Sequence, residues 1–150
     1  MKDIEFPLLI CGFPAAGKST FASRLERQGC KVLEWDSFIK EFGSCEELAE
    51  EKAFAGMLFK ERMRYSKPDV IVDVFQSKDD RIAAAKIFNG RLNAAVMQCS
   101  LETCIKRNSK RSCPPLDNAE LASIVHSFQP VEKDEGFRKI YIINGETSQC

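Results

Sequence analysis

Along this chain, short runs of apolar residues alternate with longer stretches in which apolar residues recur at helical spacing. The short runs are typical of buried strands, and they lie at residues 6–11, 31–35, 70–74, 94–99 and 139–143. Strands that alternate with helices pair in parallel, and right-handed crossovers place the helices on both faces of the sheet. The pattern therefore predicts an α/β fold, a three-layer sandwich around a five-stranded parallel sheet.

Helices are predicted at residues 17–29, 45–65, 78–88, 101–110 and 118–128, and their apolar residues predict which faces meet the core. In the first helix these residues are Phe21, Ala22 and Leu25. In the long stretch 45–65 they form a broken stripe of Leu48, Phe54, Met57, Leu58 and Met63. In the helix at 78–88 they are Ile82, Ala85 and Phe88.

The first predicted strand leads into the loop Gly12-Phe13-Pro14-Ala15-Ala16-Gly17-Lys18-Ser19, which Thr20 follows. The loop matches the phosphate-loop pattern G-x-x-x-x-G-K-[ST] in full, and residues 12–20 are its expected nucleotide contacts. The glycines let backbone N–H groups face phosphate oxygens, and the next helix presents its positive N-terminal end. Lys18 would meet the β- and γ-phosphates, and the Ser19 hydroxyl would meet Mg²⁺. We expect ATP, because the tetrapeptide NKxD that is typical of guanine specificity is absent.

Two aspartates follow predicted strands, at the end of the sheet where ligands bind in open parallel sheets. Asp36 is placed to orient an acceptor hydroxyl and take its proton. It is equally placed to cap the helix that follows. Asp73 fits a carboxylate that holds Mg²⁺ through a water molecule, and it is also placed to cap the turn before Lys78. The spacing leaves both alternatives open for each aspartate.

A basic segment follows the fourth predicted strand. On a helix, Arg107 and Arg111 fall on one face, and Lys106 and Lys110 form a parallel row. Like charges at this spacing repel one another, so a polyanion nearby would relieve them. The segment is therefore interpreted as a lid whose arginines reach over the triphosphate and stabilise charge in the transition state. The alternative is a solvated basic face.

The composition bounds the function without identifying it. A chain of 150 residues is long enough for one domain with a core, which we expect to span residues 1–150. The 22 basic and 22 acidic side chains cancel, so net charge neither favours nor excludes a nucleic-acid partner. Seven scattered cysteines and a single histidine make no zinc pattern and indicate reduced thiols in a cytoplasmic protein. No apolar run reaches the ~18–20 residues of a membrane span, so no membrane partner is expected.

Three segments together resemble the kinase domain of polynucleotide 5′-hydroxyl kinases, which are small phosphate-loop kinases. GFPAAGKSTFA at 12–22 looks like the opening motif of that family, KRNSKR at 106–111 like its lid, and EGFRKIYIIN at 135–144 like its closing strand. The resemblance implies the strand order 2-3-1-4-5 and transfer of the γ-phosphate of ATP to the 5′-hydroxyl of DNA or RNA. It also implies that Asp36 is the general base, that Lys18 and Ser19 contact ATP and Mg²⁺, and that Arg111 is the main lid arginine.

Two departures from that family concern the acceptor. The family carries an arginine three residues after the general base, where this chain has Ile39 followed by Lys40. It also carries Thr and Asn shortly after the third-strand aspartate, where this chain has residues 74–76, Val-Phe-Gln. The acceptor is therefore a single-stranded nucleic-acid 5′ end, or a small hydroxyl-bearing metabolite, nucleoside or nucleotide. A third hypothesis is a module that binds ATP as a switch without transferring phosphate.

Overall fold

The computed structural model describes residues 3–41, 52–110 and 116–146. One sheet of five parallel strands has the order β2-β3-β1-β4-β5. The strands are β1 (Leu8–Gly12), β2 (Val32–Glu34), β3 (Val70–Val72), β4 (Asn93–Gln98) and β5 (Ile140–Asn144). The predicted α/β class, the parallel sheet and the strand order are confirmed.

The helices of the described residues lie between these strands. They are α1 (Lys18–Arg27), α2 (Trp35–Lys40), α3 (Lys52–Ser66), α4 (Lys78–Ile87), α5 (Leu101–Asn108) and α6 (Asn118–Ser127), and a short 3-10 turn spans Lys133–Glu135. Side chains cap three of them: Ser77 begins α4, Ser100 begins α5, and Asp117 begins α6. None of these helices has the length and apolar character that crossing a membrane requires.

The central strand β1 divides the core in two, because successive side chains of a strand point to opposite faces. Leu8 and Ile10 pack with Phe21 of α1 on one face, in a cluster that also holds residues of α5 and α6. Leu9 and Cys11 pack on the other face with residues of α2, α3 and α4. All four β1 side chains are fully buried, and the predicted inward residues of α1 are buried as well. Helices therefore cover both faces of the sheet.

The predicted apolar stripe of the long helix is right at Met63, which is buried, and at Leu58, which is half-buried against the core, but it is wrong at two other residues. Leu48 lies outside the described residues, whereas Phe54 and Met57 of α3 are 56% and 65% exposed. The buried residues are Ala55, Phe59 and Met63, one turn apart along the helix. Phe59 meets Trp35 edge-to-face at 5.3 Å between ring centroids, and it meets Phe38 at the same distance. Packing against the aromatic side chains of α2 thus selects the buried face.

The buried face of α4 also differs from the prediction, because it includes a charged residue. Arg81 is fully buried with Ala84 and Ala85, whereas Ile82 and Phe88 are only partly covered. The Arg81 guanidinium forms an ion pair with Glu135, at 2.7 Å between Nε and Oε1, and donates to the Phe75 carbonyl at 2.7 Å. It also donates to the Gln129 and Pro130 carbonyls, at 2.8 and 3.2 Å. These partners compensate the buried charge and join the loop after β3 to the segment before β5.

Candidate functional site

The phosphate loop connects β1 to α1 through a backbone that turns sharply at its glycines. Gly12 and Gly17 have φ values of 148° and 103°, which side-chain-bearing residues rarely adopt. A Cβ at Gly12 would lie 2.8 Å from the Met97 carbonyl oxygen, so β4 also requires a glycine there. Gly17 is the N-cap of α1 and has no side chain to accept from the first-turn N–H groups. The positive end of α1 is thus available to an anion.

Lys18 lies inside the loop. Its side chain is nearly buried, and its ammonium donates to the carbonyls of Gly12 at 3.0 Å and Phe13 at 2.7 Å. The Phe13 ring packs edge-to-face against the ring of Phe128, the residue that follows α6, with 5.5 Å between the ring centroids. This contact links the loop to the C-terminal end of α6. One positive charge is therefore held within the loop.

The next residue, Ser19, touches a carboxylate that the sequence analysis did not single out. The Ser19 hydroxyl donates to a carboxylate oxygen of Glu34, the last residue of β2. The second strand was predicted to run to Trp35, but it ends one residue earlier, and Trp35 begins α2. As predicted, the strand ends at the carboxyl edge of the sheet, where its last residue meets the phosphate loop. Glu34 was overlooked because it was counted inside the strand.

Asp36 lies in the first turn of α2 and is partly buried. The N-cap of α2 is Glu34, so the interpretation of Asp36 as the capping residue is wrong. Burial is the main cause that raises the pKa of Asp73, and the negative charges of Asp36 and Asp80 raise it further while the charge of Lys18 lowers it. Asp36 and Lys18 are therefore close enough to Asp73 to interact with it electrostatically.

Asp73 directly follows β3, which ends at Val72 although it was predicted to reach Val74. Its Oδ1 accepts from the Val74 N–H at 2.8 Å, and Ser77 rather than Asp73 caps α4. Burial is the main cause that raises the pKa of Asp73 to about 6. A cation near this carboxylate would favour its ionised form, because opposite charge favours ionisation.

Arg107 approaches the loop from α5. Its Nη1 lies 3.5 Å from the Ala15 carbonyl oxygen and 3.7 Å from Cys99 Sγ. Its Nη2 is buried and has no hydrogen-bond partner among the described residues. The lysines beside it, Lys106 and Lys110, are exposed, and Arg111 lies outside the described residues.

A wall behind the loop comes from the segment after β5, which the sequence analysis did not identify. Gly145 N–H donates to the Gln98 carbonyl at 2.7 Å. A Cβ at Gly145 would lie 2.3 Å from the Ala16 carbonyl oxygen and 2.9 Å from that of Gln98. Glu146 then accepts from Ser100 N–H, and this bond is the main cause that lowers its pKa to about 2. The loop is therefore supported by backbone that is distant in sequence.

The donor set fits the expected cofactors. Mg²⁺ prefers oxygen ligands and is usually held by one or two carboxylates together with substrate phosphates and water. Ser19 and Asp73 supply such oxygens near the loop. Among the described residues, no group of three or more His, Cys, Asp or Glu side chains is arranged to hold a metal ion. The unpartnered Arg107 Nη2 fits a phosphate oxygen.

The acceptor side is more apolar. Ile39, at the position where the resembled family has arginine, is 7% exposed and belongs to the core cluster of Leu9 and Phe38. Lys40 is exposed at the end of α2. Phe75 is buried, and Trp35 packs against Phe59, so neither ring stands free in solvent.

Comparison with known proteins places the chain in a family. The model of the AAA domain matches residues 8–131. No curated protein matches the sequence.

Several solved structures share the fold. A gluconokinase from Sinorhizobium meliloti 1021 is 14% identical and has a TM-score of 0.69, over 94% of this chain and 84% of that chain. A deoxyadenosine kinase from M. mycoides is 13% identical with a TM-score of 0.61, over 93% and 90%. A chain of the Pnkp1/Rnl/Hen1 RNA repair complex is 19% identical with a TM-score of 0.59, over 89% and 50%. At these identities the likeness shows a shared kinase-like fold.

Proposed function

This chain belongs to the AAA domain family, and on that premise we propose that it is an ATP-dependent kinase whose acceptor is the hydroxyl of a small molecule. The observation that carries the kinase proposal is the meeting of Lys18 and Arg107 at the phosphate loop, with Asp36 and Asp73 beside it. This arrangement supports the proposal, because phosphate transfer needs cations near the phosphates and carboxylates that can serve a metal and an acceptor hydroxyl.

Each residue has a distinct task in the proposed reaction. Lys18 exchanges its loop carbonyls for the β- and γ-phosphate oxygens, and Arg107 turns its free Nη2 to a phosphate oxygen. Ser19, and Asp73 through water, would hold Mg²⁺, which would supply positive charge to the phosphate oxygens. Asp36 orients the acceptor hydroxyl and takes its proton. The acceptor oxygen forms a bond to the γ-phosphorus as the bond to the β-phosphate oxygen breaks, and ADP leaves.

The burial of Ile39 supports a small acceptor over a nucleic-acid strand. An arginine there would hold a strand phosphate, whereas Ile39 faces the core and offers no charge. The nearby Arg62 already pairs with Glu41 at 3.3 Å and lies over the Phe38 ring. The remaining candidate is exposed Lys40, which lacks the planar fork of arginine.

The 5′-hydroxyl of a polynucleotide remains a second candidate, favoured by the resemblance of residues 106–111 to a polynucleotide-kinase lid. One of the similar structures also comes from an RNA repair complex. In that case Lys40 would take over the strand contact of the missing arginine.

A transfer assay separates the alternatives. ATP labelled at the γ-phosphate is offered with Mg²⁺ to a 5′-hydroxyl oligonucleotide and, in parallel, to pools of sugars, nucleosides and nucleotides. We expect label in a small-molecule pool, and none with Lys18→Ala or Asp36→Asn. Label on the oligonucleotide that is lost with Lys40→Ala would establish the second candidate. If ATP binds and no acceptor is labelled, the chain is an ATP-binding switch rather than a kinase.

A further inference from the structure

We infer that Glu34 is a positioning residue for the metal site. Its carboxylate accepts the hydrogen bond that the Ser19 hydroxyl donates, and the lone pairs of that hydroxyl oxygen are then available to Mg²⁺. The inference rests on the proposed binding of ATP with Mg²⁺ and adds a residue to it. Neither the phosphate-loop pattern nor the strand-end aspartates include Glu34.

The contact brings two separate elements together at the ligand edge of the sheet. Ser19 lies in the first turn of α1, whereas Glu34 ends β2 on the outer side of β3. Glu34 pairs in register with Val72, the residue before Asp73. The strand register therefore carries the Glu34 carboxylate to the same edge of the sheet as Asp73, beside the helix that presents the hydroxyl.

The chemistry of a hydroxyl ligand explains why such an acceptor matters. A serine hydroxyl has one hydrogen and two lone pairs, so it binds a metal through oxygen only when its hydrogen points elsewhere. A carboxylate is a stronger acceptor than water or a neutral group, and it fixes the hydroxyl rotor in one orientation. Acceptors of this kind behind a metal ligand typically change metal affinity by about 10–100-fold.

The charge around Glu34 supports the same conclusion. No ion pair among the described residues includes Glu34, although Glu41 and Glu61 each pair with an arginine. Glu34 is also partly buried, which raises the cost of an uncompensated charge. A cation at Ser19 would offset this charge, whereas a purely structural link between α1 and β2 would be served by a neutral acceptor.

Binding of ADP at increasing Mg²⁺ concentration, measured by calorimetry, tests the inference without relying on turnover. In Glu34→Gln the side chain keeps its size and an acceptor oxygen but loses its charge. We expect the Mg²⁺ concentration that gives half of the affinity gain to rise by about tenfold or more. Affinity for ADP without Mg²⁺ should stay within about twofold of wild type. Glu26→Gln removes an exposed carboxylate from α1 and serves as the matched control.

A double-mutant cycle shows whether Glu34 acts through Ser19. In a Ser19→Ala background, Glu34→Gln should have no further effect on the Mg²⁺ dependence, because the hydroxyl that it orients is gone. An additive effect of the two changes overturns the positioning role. So does an equal loss of ADP affinity with and without Mg²⁺, which is the behaviour of a structural link, or an unchanged Mg²⁺ dependence in Glu34→Gln.

The same data distinguish this inference from the proposed function. If wild type binds ADP and Lys18→Ala does not, the nucleotide site stands, and the Glu34 results decide the inference alone. If wild type binds no nucleotide at any Mg²⁺ concentration, both the proposed function and the role of Glu34 are overturned.

Discussion

The two sides of the site are built by different means. On the nucleotide side, the contacts that hold the site are made mainly to backbone groups. Lys18 donates to two loop carbonyls, and Gly145 packs against a third. On the acceptor side, α2 and α3 meet through the aromatic rings of Trp35, Phe38 and Phe59. Backbone geometry depends little on side-chain identity, whereas an apolar wall can be reshaped by substitution. The difference explains why the sequence predicts a phosphate loop far better than it predicts an acceptor.

Loss of the loop charge should have the largest effect. In Lys18→Ala the phosphates lose their buried ammonium, and we expect phosphate transfer to fall about 10³-fold, or ~4 kcal/mol in the transition state. Single-turnover transfer of labelled phosphate measures this loss, with Lys86→Ala, which changes an exposed lysine of α4, as the control. Activity within about tenfold of wild type would refute the role of the loop.

A substitution on the acceptor side should lower the stability of the protein more than it lowers nucleotide affinity. Ile39 is a core residue, so Ile39→Ala should lower the free energy of unfolding by about 2–4 kcal/mol. Affinity for ADP should change little at temperatures where the variant is folded, because Ile39 belongs to a different core cluster from the loop residues Phe13 and Ala16. Thermal unfolding and calorimetry give the two values. A small loss of stability together with a large loss of ADP affinity would mean that the two sides of the site are not separable.

The wall behind the loop offers a smaller and more local test. In Gly145→Ala the new methyl group meets the Ala16 carbonyl, so the backbone must shift, and we expect a loss of about 1–3 kcal/mol in stability. ADP affinity should fall as well, because the displaced carbonyl belongs to the loop. Gly56→Ala is a matched control: it lies in α3 with open space around it, and alanine there should stabilise the helix by about 0.5–1 kcal/mol.

The smallest expected effect is a gain in stability. Burial raises the pKa of Asp73 from 3.8 to about 6, so the folded protein binds more protons than the unfolded chain between these values. The free energy of unfolding therefore falls as pH rises through this window. Asp73→Asn has no ionised form, and without Mg²⁺ or nucleotide it should be more stable at neutral pH by about 1–2 kcal/mol. The value is below that of the full pKa shift because the carboxyl is partly exposed.

Thermal unfolding at neutral pH and at about pH 4 measures the Asp73 effect. The advantage of the variant should shrink at the lower pH, where the wild-type carboxyl is largely protonated. Mg²⁺ with ADP should reverse the order, because only wild type gains from the metal. An advantage that is independent of pH would point to a cause other than the charge of Asp73.

Local patterns predicted more of this molecule than long-range contacts did. The loop and the places of Asp36 and Asp73 follow from short motifs and strand ends, which are local in sequence, whereas the strand order was implied by a family resemblance. The face of α3 was misassigned in part because Phe54 and Met57 are apolar yet exposed, and packing against α2 selects Phe59. Gly145 was missed because its partner, Ala16, is remote in sequence. Buried Arg81 was missed for the same reason, since its partner Glu135 comes from a distant turn.

The hydrogen bonds of Lys18 to Gly12 and Phe13 have a further consequence for the catalytic cycle. They hold the loop in shape before any nucleotide arrives, so binding exchanges one set of partners for another instead of ordering a free segment. The entropy lost on association is correspondingly small. In the proposed reaction, the ammonium would return to the two carbonyls after ADP departs, and the loop would accept the next nucleotide without refolding.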